Sequence, residues 1–165
     1  MAFDAFLKIE DAQGNILIRG ESTDKGHPDE IEIDSFSWGV TQTGTSGGGS
    51  GGGAGRAVSQ DFHFSTPLSK ASPNLMLACA TGKHLPIALL TCRKAGGTGQ
   101  VEFLKIKLTD VLVSSYALGG SGGGEAPVPE DQFSLNFTKI DFLYTQQRTG
   151  EVVETAFDFG SIVGA

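Results

Sequence analysis

The sequence predicts a mainly β domain, an antiparallel β-barrel of two curved sheets with one α-helix at about 72–81 and long glycine-rich loops. Three observations lead there. Apolar residues alternate with period two over most of the chain, which turns one face of each segment inward. That parity flips within the longest alternating segments, as it does at bulges in sheets that curl and close. Only one segment carries helix start and stop signals.

Taken in order, Phe3, Ala5, Leu7 and Ile9 share parity and open the chain as a strand. A turn at 11–14 leads into a short strand at 15–19, forming a hairpin. Over 30–43 the apolar positions are first odd, at Ile31 and Ile33, and then even, at Phe36, Trp38 and Val40. A β-bulge near Asp34 and Ser35 accounts for the change. Val58, Phe62 and Phe64 mark a strand within 57–65, and 85–93 is apolar on both faces, as a central strand requires. The turn at 93–98 leads into a strand over 101–113, where the parity flips again. Another flip divides Phe133, Leu135 and Phe137 from Ile140, Phe142 and Tyr144 within 132–144. The helix is expected to have Ser72 at its N-cap, Pro73 at its first position and Gly82 just past its end. Its continuous apolar run, Leu75 to Cys79, is too unbroken for a surface helix, so it should plug or cover the barrel.

Composition excludes several classes of protein. The 165 residues carry a net charge of −7, with 19 acidic against 12 basic residues. That balance provides no basic footprint for nucleic acid. No apolar run approaches the ~20 residues that span a bilayer, so stable membrane insertion is not expected. Glycine, at 24 residues, is in excess, and the excess sits in two tracts, 41–56 and 119–131, expected to be flexible loops of one domain spanning 1–165. The N-terminus lacks a basic region and a continuous apolar stretch, so no export signal is expected. Cys79 and Cys92 have no C-x-x-C spacing and read as buried thiols of a protein made in a reducing cytoplasm.

Motifs for chemistry are weak. The glycine tract at 47–52 satisfies G-x-G-x-x-G, but a strand follows it rather than a helix. Asn136, Phe137 and Thr138 match a glycosylation sequon inside a strand, a chance match. His27, His63 and His84 share no ligand spacing with each other or with the cysteines, so no metal is expected. Asp61 and His63 lie two apart on one strand face, yet no nucleophile context accompanies them. Glu30 and Glu32 read as the polar face of a strand rather than a glycosidase pair. Neither an enzyme nor a cofactor is expected. Many long strands without site chemistry raise the problem of unpaired edges, which symmetric self-association resolves.

At this point the residues themselves become specific. The chain resembles the haemolysin-coregulated protein (Hcp) family, the tube protein of bacterial type VI secretion systems. The resemblance rests on Ala2-Phe3-Asp4-Ala5-Phe6-Leu7-Lys8-Ile9, Gly20-Glu21-Ser22-Thr23-Asp24-Lys25, Glu30-Ile31-Glu32-Ile33 and Ser35-Phe36-Ser37-Trp38-Gly39. It continues through Gln60-Asp61-Phe62, Ser72-Pro73-Asn74-Leu75-Met76, Gly82-Lys83-His84, Leu90-Thr91-Cys92-Arg93-Lys94-Ala95-Gly96, Val111-Leu112-Val113-Ser114-Ser115 and Ser134-Leu135-Asn136-Phe137. The stretch 12–19 is longer than in the commonest members, and 147–165 is not diagnostic.

The resemblance implies a compact β-barrel that assembles as a homohexameric ring. Rings would stack into a hollow tube, propelled out by a contractile sheath, capped by a spike, and carrying or chaperoning small effector proteins in the lumen. It implies synthesis in the bacterial cytoplasm and secretion by the machine without a signal peptide. Ser37 matches a small polar lumen-facing position that contacts effectors. Thr43, Ser46, Ser50 and Arg56 lie in the segment matching the extended loop between rings. Because the chain ends at Ala165, a fused toxin is not expected. Two alternatives stand beside this reading: a non-assembling β-barrel module for a carbohydrate-type ligand, which needs an exposed aromatic platform, and a small hydrolase built on Asp61 and His63.

Overall fold

The computed structural model describes residues 3–44, 56–95, 100–125 and 127–160. Among them the elements run β1 (Phe3–Glu10), β2 (Ile16–Ile18), β3 (Ile31–Ile33), β4 (Ser35–Ser37), β5 (Val40–Gln42), β6 (Ala57–Ser59), β7 (Phe62–Pro67), α1 (Ser72–Thr81), β8 (His84–Lys94), β9 (Glu102–Gly119), β10 (Glu130–Asn136), β11 (Lys139–Thr145) and β12 (Val152–Asp158). The main sheet is antiparallel in the order β2-β1-β8-β9-β10-β7-β4. Strand β3 also pairs with β1, β11 runs along β9 beyond the end of β10, and β12 pairs with β11 alone. A separate ribbon pairs β5 with β6. The doubly apolar β8 lies between β1 and β9, as its sequence requires.

Each parity flip has a structural cause. At 31–37 the chain changes partners: Ile31 and Ile33 ladder with β1, whereas Ser35 to Ser37 ladder with β7. The Asp34 N–H donates to the Ser65 carbonyl at 2.8 Å, and Thr66 Oγ1 donates to the Glu32 carbonyl at 2.6 Å, locking the crossover. The two ends of the curled sheet meet through this one segment. The expected closed barrel is therefore a curled sheet bridged by a strand that switches sides, not a cylinder of unbroken ladders. Within β9, Asp110 adopts φ +56, a left-handed conformation that reverses which side chains face inward. Opposite it the expected strand over 132–144 divides into β10 and β11, where Thr138 donates its N–H to the Thr109 carbonyl at 3.1 Å. A further bulge leaves Ser114 as the extra residue between Ser115, opposite Ser134, and Val113, opposite Leu135.

Helix α1 differs from expectation at its start and on its face. Ala71 is the N-cap, and Ser72 is the first helical residue. The Ser72 hydroxyl is drawn elsewhere: it donates to the carboxylate of Asp131, which is fully buried and also accepts from Tyr116 Oη at 2.8 Å. This clamp ties the helix to β10. Gly82 caps the C-terminus at φ +63, its N–H directed at the Ala78 and Cys79 carbonyls. The helix buries Leu75 and Ala78, spaced for one face, and leaves Met76 and Leu77 exposed. It covers the core from outside.

The core combines Leu7, Ile9, Leu75, Leu90, Leu108 and Val113 with a stack of aromatic rings. Phe62 and Phe64 stack at 4.9 Å, Phe64 and Phe133 at 5.2 Å, and Trp38 lies parallel to Phe62 at 6.1 Å. The 20–30 segment packs onto the outer face of β1. A Cβ on Gly20 would sit 2.3 Å from the Glu30 carbonyl oxygen, so only glycine admits this approach. His27 stacks on Phe6 at 4.5 Å and sets its ring nitrogens against Glu30, at 3.0 Å, and Glu102, at 3.2 Å. Arg93 covers the same Phe6 ring and pairs with Asp24. Burial of the Cys92 thiol pushes its pKa up to about 11, and Cys79 is half-buried; both are free.

Candidate assembly surface

Cross-strand register extends the core face beyond the part of the sheet that the rest of the chain covers. Residues directly opposite one another in a ladder share a face. One row reads Leu7, Leu90, Ile106, Phe142, Thr155; the next reads Ile9, Ala88, Leu108, Ile140, Phe157. A third reads Ala5, Cys92, Leu104, Tyr144, Val153. The first members are fully buried, but Phe142, Phe157, Tyr144 and Val153 are 38, 44, 45 and 59% exposed. The β11–β12 hairpin thus presents core-type side chains in core phase that, among the described residues, are left partly uncovered, Phe157 meeting the edge of Phe159 at 4.8 Å. Among the described residues, strand β12 is paired on one side only, by β11.

The β5–β6 ribbon faces this hairpin across an open groove of about 350 Å³, lined by Trp38, Val40, Ala57, Phe142, Phe157 and Phe159 among others. Trp38 is fixed there by donation from its Nε1 to Ser59 Oγ at 3.0 Å and by contact with Phe137. Val40 and Val58 on the ribbon are half exposed. Thr155 is the one polar residue of the lining, so the groove lacks the convergent polar groups with which a site recognises sugar hydroxyls.

The ribbon also closes the base of the first glycine tract. Thr43 and Arg56 pair through the Thr43 N–H to the Arg56 carbonyl, 3.3 Å, and the Arg56 N–H to Thr43 Oγ1, 3.1 Å. Residues 41 and 42, expected in the loop, belong to β5. Ser46 and Ser50 lie outside the described residues. The second tract is bounded by the end of β9 at Gly119 and the start of β10 at Glu130.

Ser37 is exposed on β4, opposite His63 of β7. The outward positions of β4, β7, β10 and β9 form a shallow polar concavity of about 300 Å³ with Ser35, Ser37, His63, Ser65, Ser115 and Gln132 on its walls. Small hydroxyls dominate this face. Asp61 does not address His63: its carboxylate accepts from Ser114 Oγ at 2.7 Å and from Asn136 Nδ2 at 2.9 Å. The hydrolase arrangement is therefore not assembled around this pair. Among the described residues no group of three or more His, Cys, Asp or Glu is gathered to hold a metal, and no helix is long and apolar enough to cross a membrane.

Strand β12 is the element that sequence reasoning missed. Its signal lies in the alternation of Val153, Thr155 and Phe157, a short run that single polar residues interrupt.

The fold, a curled antiparallel sheet with a helix over its core, is similar to that of type VI secretion proteins of known structure. The chain matches the family model described as "Type VI secretion system effector, Hcp" over residues 6–144. It is 47% identical over 148 residues to Protein hcp1 of Pseudomonas aeruginosa, covering 90% of this chain and 86% of that protein. The crystal structure of Hcp1 from Salmonella typhimurium superposes with a TM-score of 0.80 at 34% identity, covering 98% of this chain and 97% of that one. A type VI secretion system effector from Yersinia pestis superposes with a TM-score of 0.74 at 33% identity, covering 94% and 99%. The chain belongs to the Hcp family of type VI secretion proteins.

Proposed function

We infer that the chain, as a single domain over 1–165, is the structural subunit of the type VI inner tube, in which six copies form a ring and rings stack into a hollow tube. The observation that carries this reading is the uncovered core face of the β11–β12 hairpin. Phe142, Phe157, Tyr144 and Val153 stand in phase with buried residues of three cross-strand rows, and an apolar face in that position calls for another folded surface over it. Family membership supplies the context in which that surface is another copy of the chain.

In this reading the tube is built in the bacterial cytoplasm inside a sheath, tipped by a spike, and expelled without a signal peptide. Ser37 and the hydroxyl-rich face around it line the lumen and contact small effector proteins. The segment rooted at Thr43 and Arg56, with Ser46 and Ser50 within it, forms the contact between rings. A glycine-rich segment loses much entropy on ordering, which keeps each stacking contact weak enough to be reversed. The role is structural rather than catalytic. A carbohydrate-binding module is disfavoured by the groove, whose aromatic residues lack polar partners for a sugar.

Secretion tests the assignment. In cells with a working type VI apparatus, the tagged chain should reach the medium, and deletion of the sheath should abolish its release. Equal release from cells without a sheath would overturn the reading.

A further inference from the structure

We propose that the groove between the β5–β6 and β11–β12 hairpins is filled by Ile162 and Val163 of the same chain, whose tail turns back after β12 and lies between the two hairpins. The contact is made within one subunit, so it goes beyond the tube-subunit reading and does not depend on it. Sequence narrows the choice of occupant. Outside the described residues lie 1–2, 45–55, 96–99, 126 and 161–165, and among these only the last contains branched apolar side chains. The tract at 45–55 offers nothing larger than threonine. Met1 leads into Phe3, which packs on Phe36 and Phe103, neither of which lines the groove.

Position points to the same segment. Phe159 is part of the groove lining, and its N–H donates to the Thr138 carbonyl at 2.6 Å, which holds the chain in place just past β12. The chain bends directly afterwards, where the Gly160 N–H donates to Asp158 Oδ1 at 2.8 Å. From there the reach is limited. A strand rises ~3.3 Å per residue and an extended chain spans at most ~3.6 Å per residue, so four residues beyond Phe159 bring Val163 back no further than the Phe142–Thr155 pair. Tyr144 and Val153, one pair further along this face, stay beyond the tail and available to a neighbouring copy. Adjacent residues of an extended chain point to opposite sides. That suits a groove with two apolar walls: one of Ile162 and Val163 faces Phe142 and Phe157, and the other faces Val40 and Ala57 of the ribbon. A tail with apolar residues at alternate positions would leave one wall bare. Ser161, Gly164 and Ala165 are small, and the open side of the groove leaves the tail's peptide groups in water.

The test uses the full chain and its single tryptophan, Trp38, which stands in the groove wall and reports what covers it. Ile162→Ser combined with Val163→Ser should keep the far-UV spectrum of the natural chain. It should move the Trp38 emission to longer wavelength, increase its quenching by acrylamide and lower the melting temperature by several degrees. A photo-reactive aliphatic residue in place of Ile162 should join to 38–42, 57–59 or 140–159 of its own chain, in products of one-chain mass that persist on dilution. Trp38 emission and quenching that do not change in the double variant overturn the tail contact, as do cross-links that map elsewhere or to a second chain, and each of these leaves the tube-subunit reading in place. That reading fails separately: a natural chain that stays monomeric, yet cross-links within itself as expected, overturns the assembly and leaves the tail contact standing.

Discussion

Replacing Val153 by Glu separates assembly from folding. In the isolated chain Val153 is 59% exposed on β12, so a carboxylate there stays hydrated and the melting temperature should move by less than about 2 °C. In a ring, where this face is covered, the contact loses about 1 kcal/mol, the exposed part of a valine's burial energy. Leaving an unpaired carboxylate out of water costs at least about 3 kcal/mol more. Each contact is then weaker by ~4 kcal/mol, and six contacts shared over five association steps give ~5 kcal/mol per step, a rise in half-assembly concentration of more than a thousandfold. Val153→Ser, which loses only the apolar part, should raise it by roughly tenfold. Light scattering across a dilution series reads both, with thermal melts as the control. A Val153→Glu protein that assembles like the natural chain would refute the idea that this face is covered. One that unfolds would show that Val153 supports the fold itself.

Four further changes probe the scaffold. Asp131→Ala leaves the buried Ser72 hydroxyl and the half-buried Tyr116 hydroxyl without their acceptor and should lower stability by roughly 1–4 kcal/mol in urea unfolding; an unchanged midpoint would contradict the clamp. Gly20→Ala drives a Cβ into the Glu30 carbonyl and should cost about 1–3 kcal/mol, or a melting temperature lower by several degrees; a rise would mean that the 20–30 segment is loosely packed. Two carboxyls give opposite pH signatures. Burial raises the pKa of Glu30, so its folded form holds a proton more tightly than the unfolded chain does, and this stability is lost as pH rises above the ordinary glutamate range. The Arg93 guanidinium lowers Asp24 to about 2, so that stability is present above the ordinary aspartate range and is lost as pH falls toward 2. Glu30→Gln should flatten the first slope and Asp24→Asn the second in pH-dependent melts, and unaltered slopes would contradict the assignment.

Much of this fold is legible in the sequence because strand alternation records burial directly. Leu7 and Ile9 of β1, Phe62 and Phe64 of β7, and the doubly apolar β8 all sit where their parity puts them. The parity flips were visible too, but not their causes. Whether the chain bulges, switches partner at Asp34 or turns left-handed at Asp110 depends on which strands arrive alongside, and that is a long-range matter. Ser72 shows the same limit. Its local chemistry suits an N-cap, yet Asp131, 59 residues away, recruits its hydroxyl and the helix begins one residue earlier. Met76 and Leu77 belong to an apolar run, yet the helix turns them outward, because composition alone does not say which face of a short helix meets the core. The assembly surface was least legible. The alternation of Val153 and Phe157 is short, and its meaning emerges only when register aligns it with Leu108 and Leu104.

The central claim is that these chains complete one another's cores around a ring, and native mass by light scattering with electron microscopy of the same peak tests it most directly. The account predicts a mass of six subunits, near six times 17.2 kDa, in annular particles with an open centre. A monomer with no rings at high concentration would contradict it.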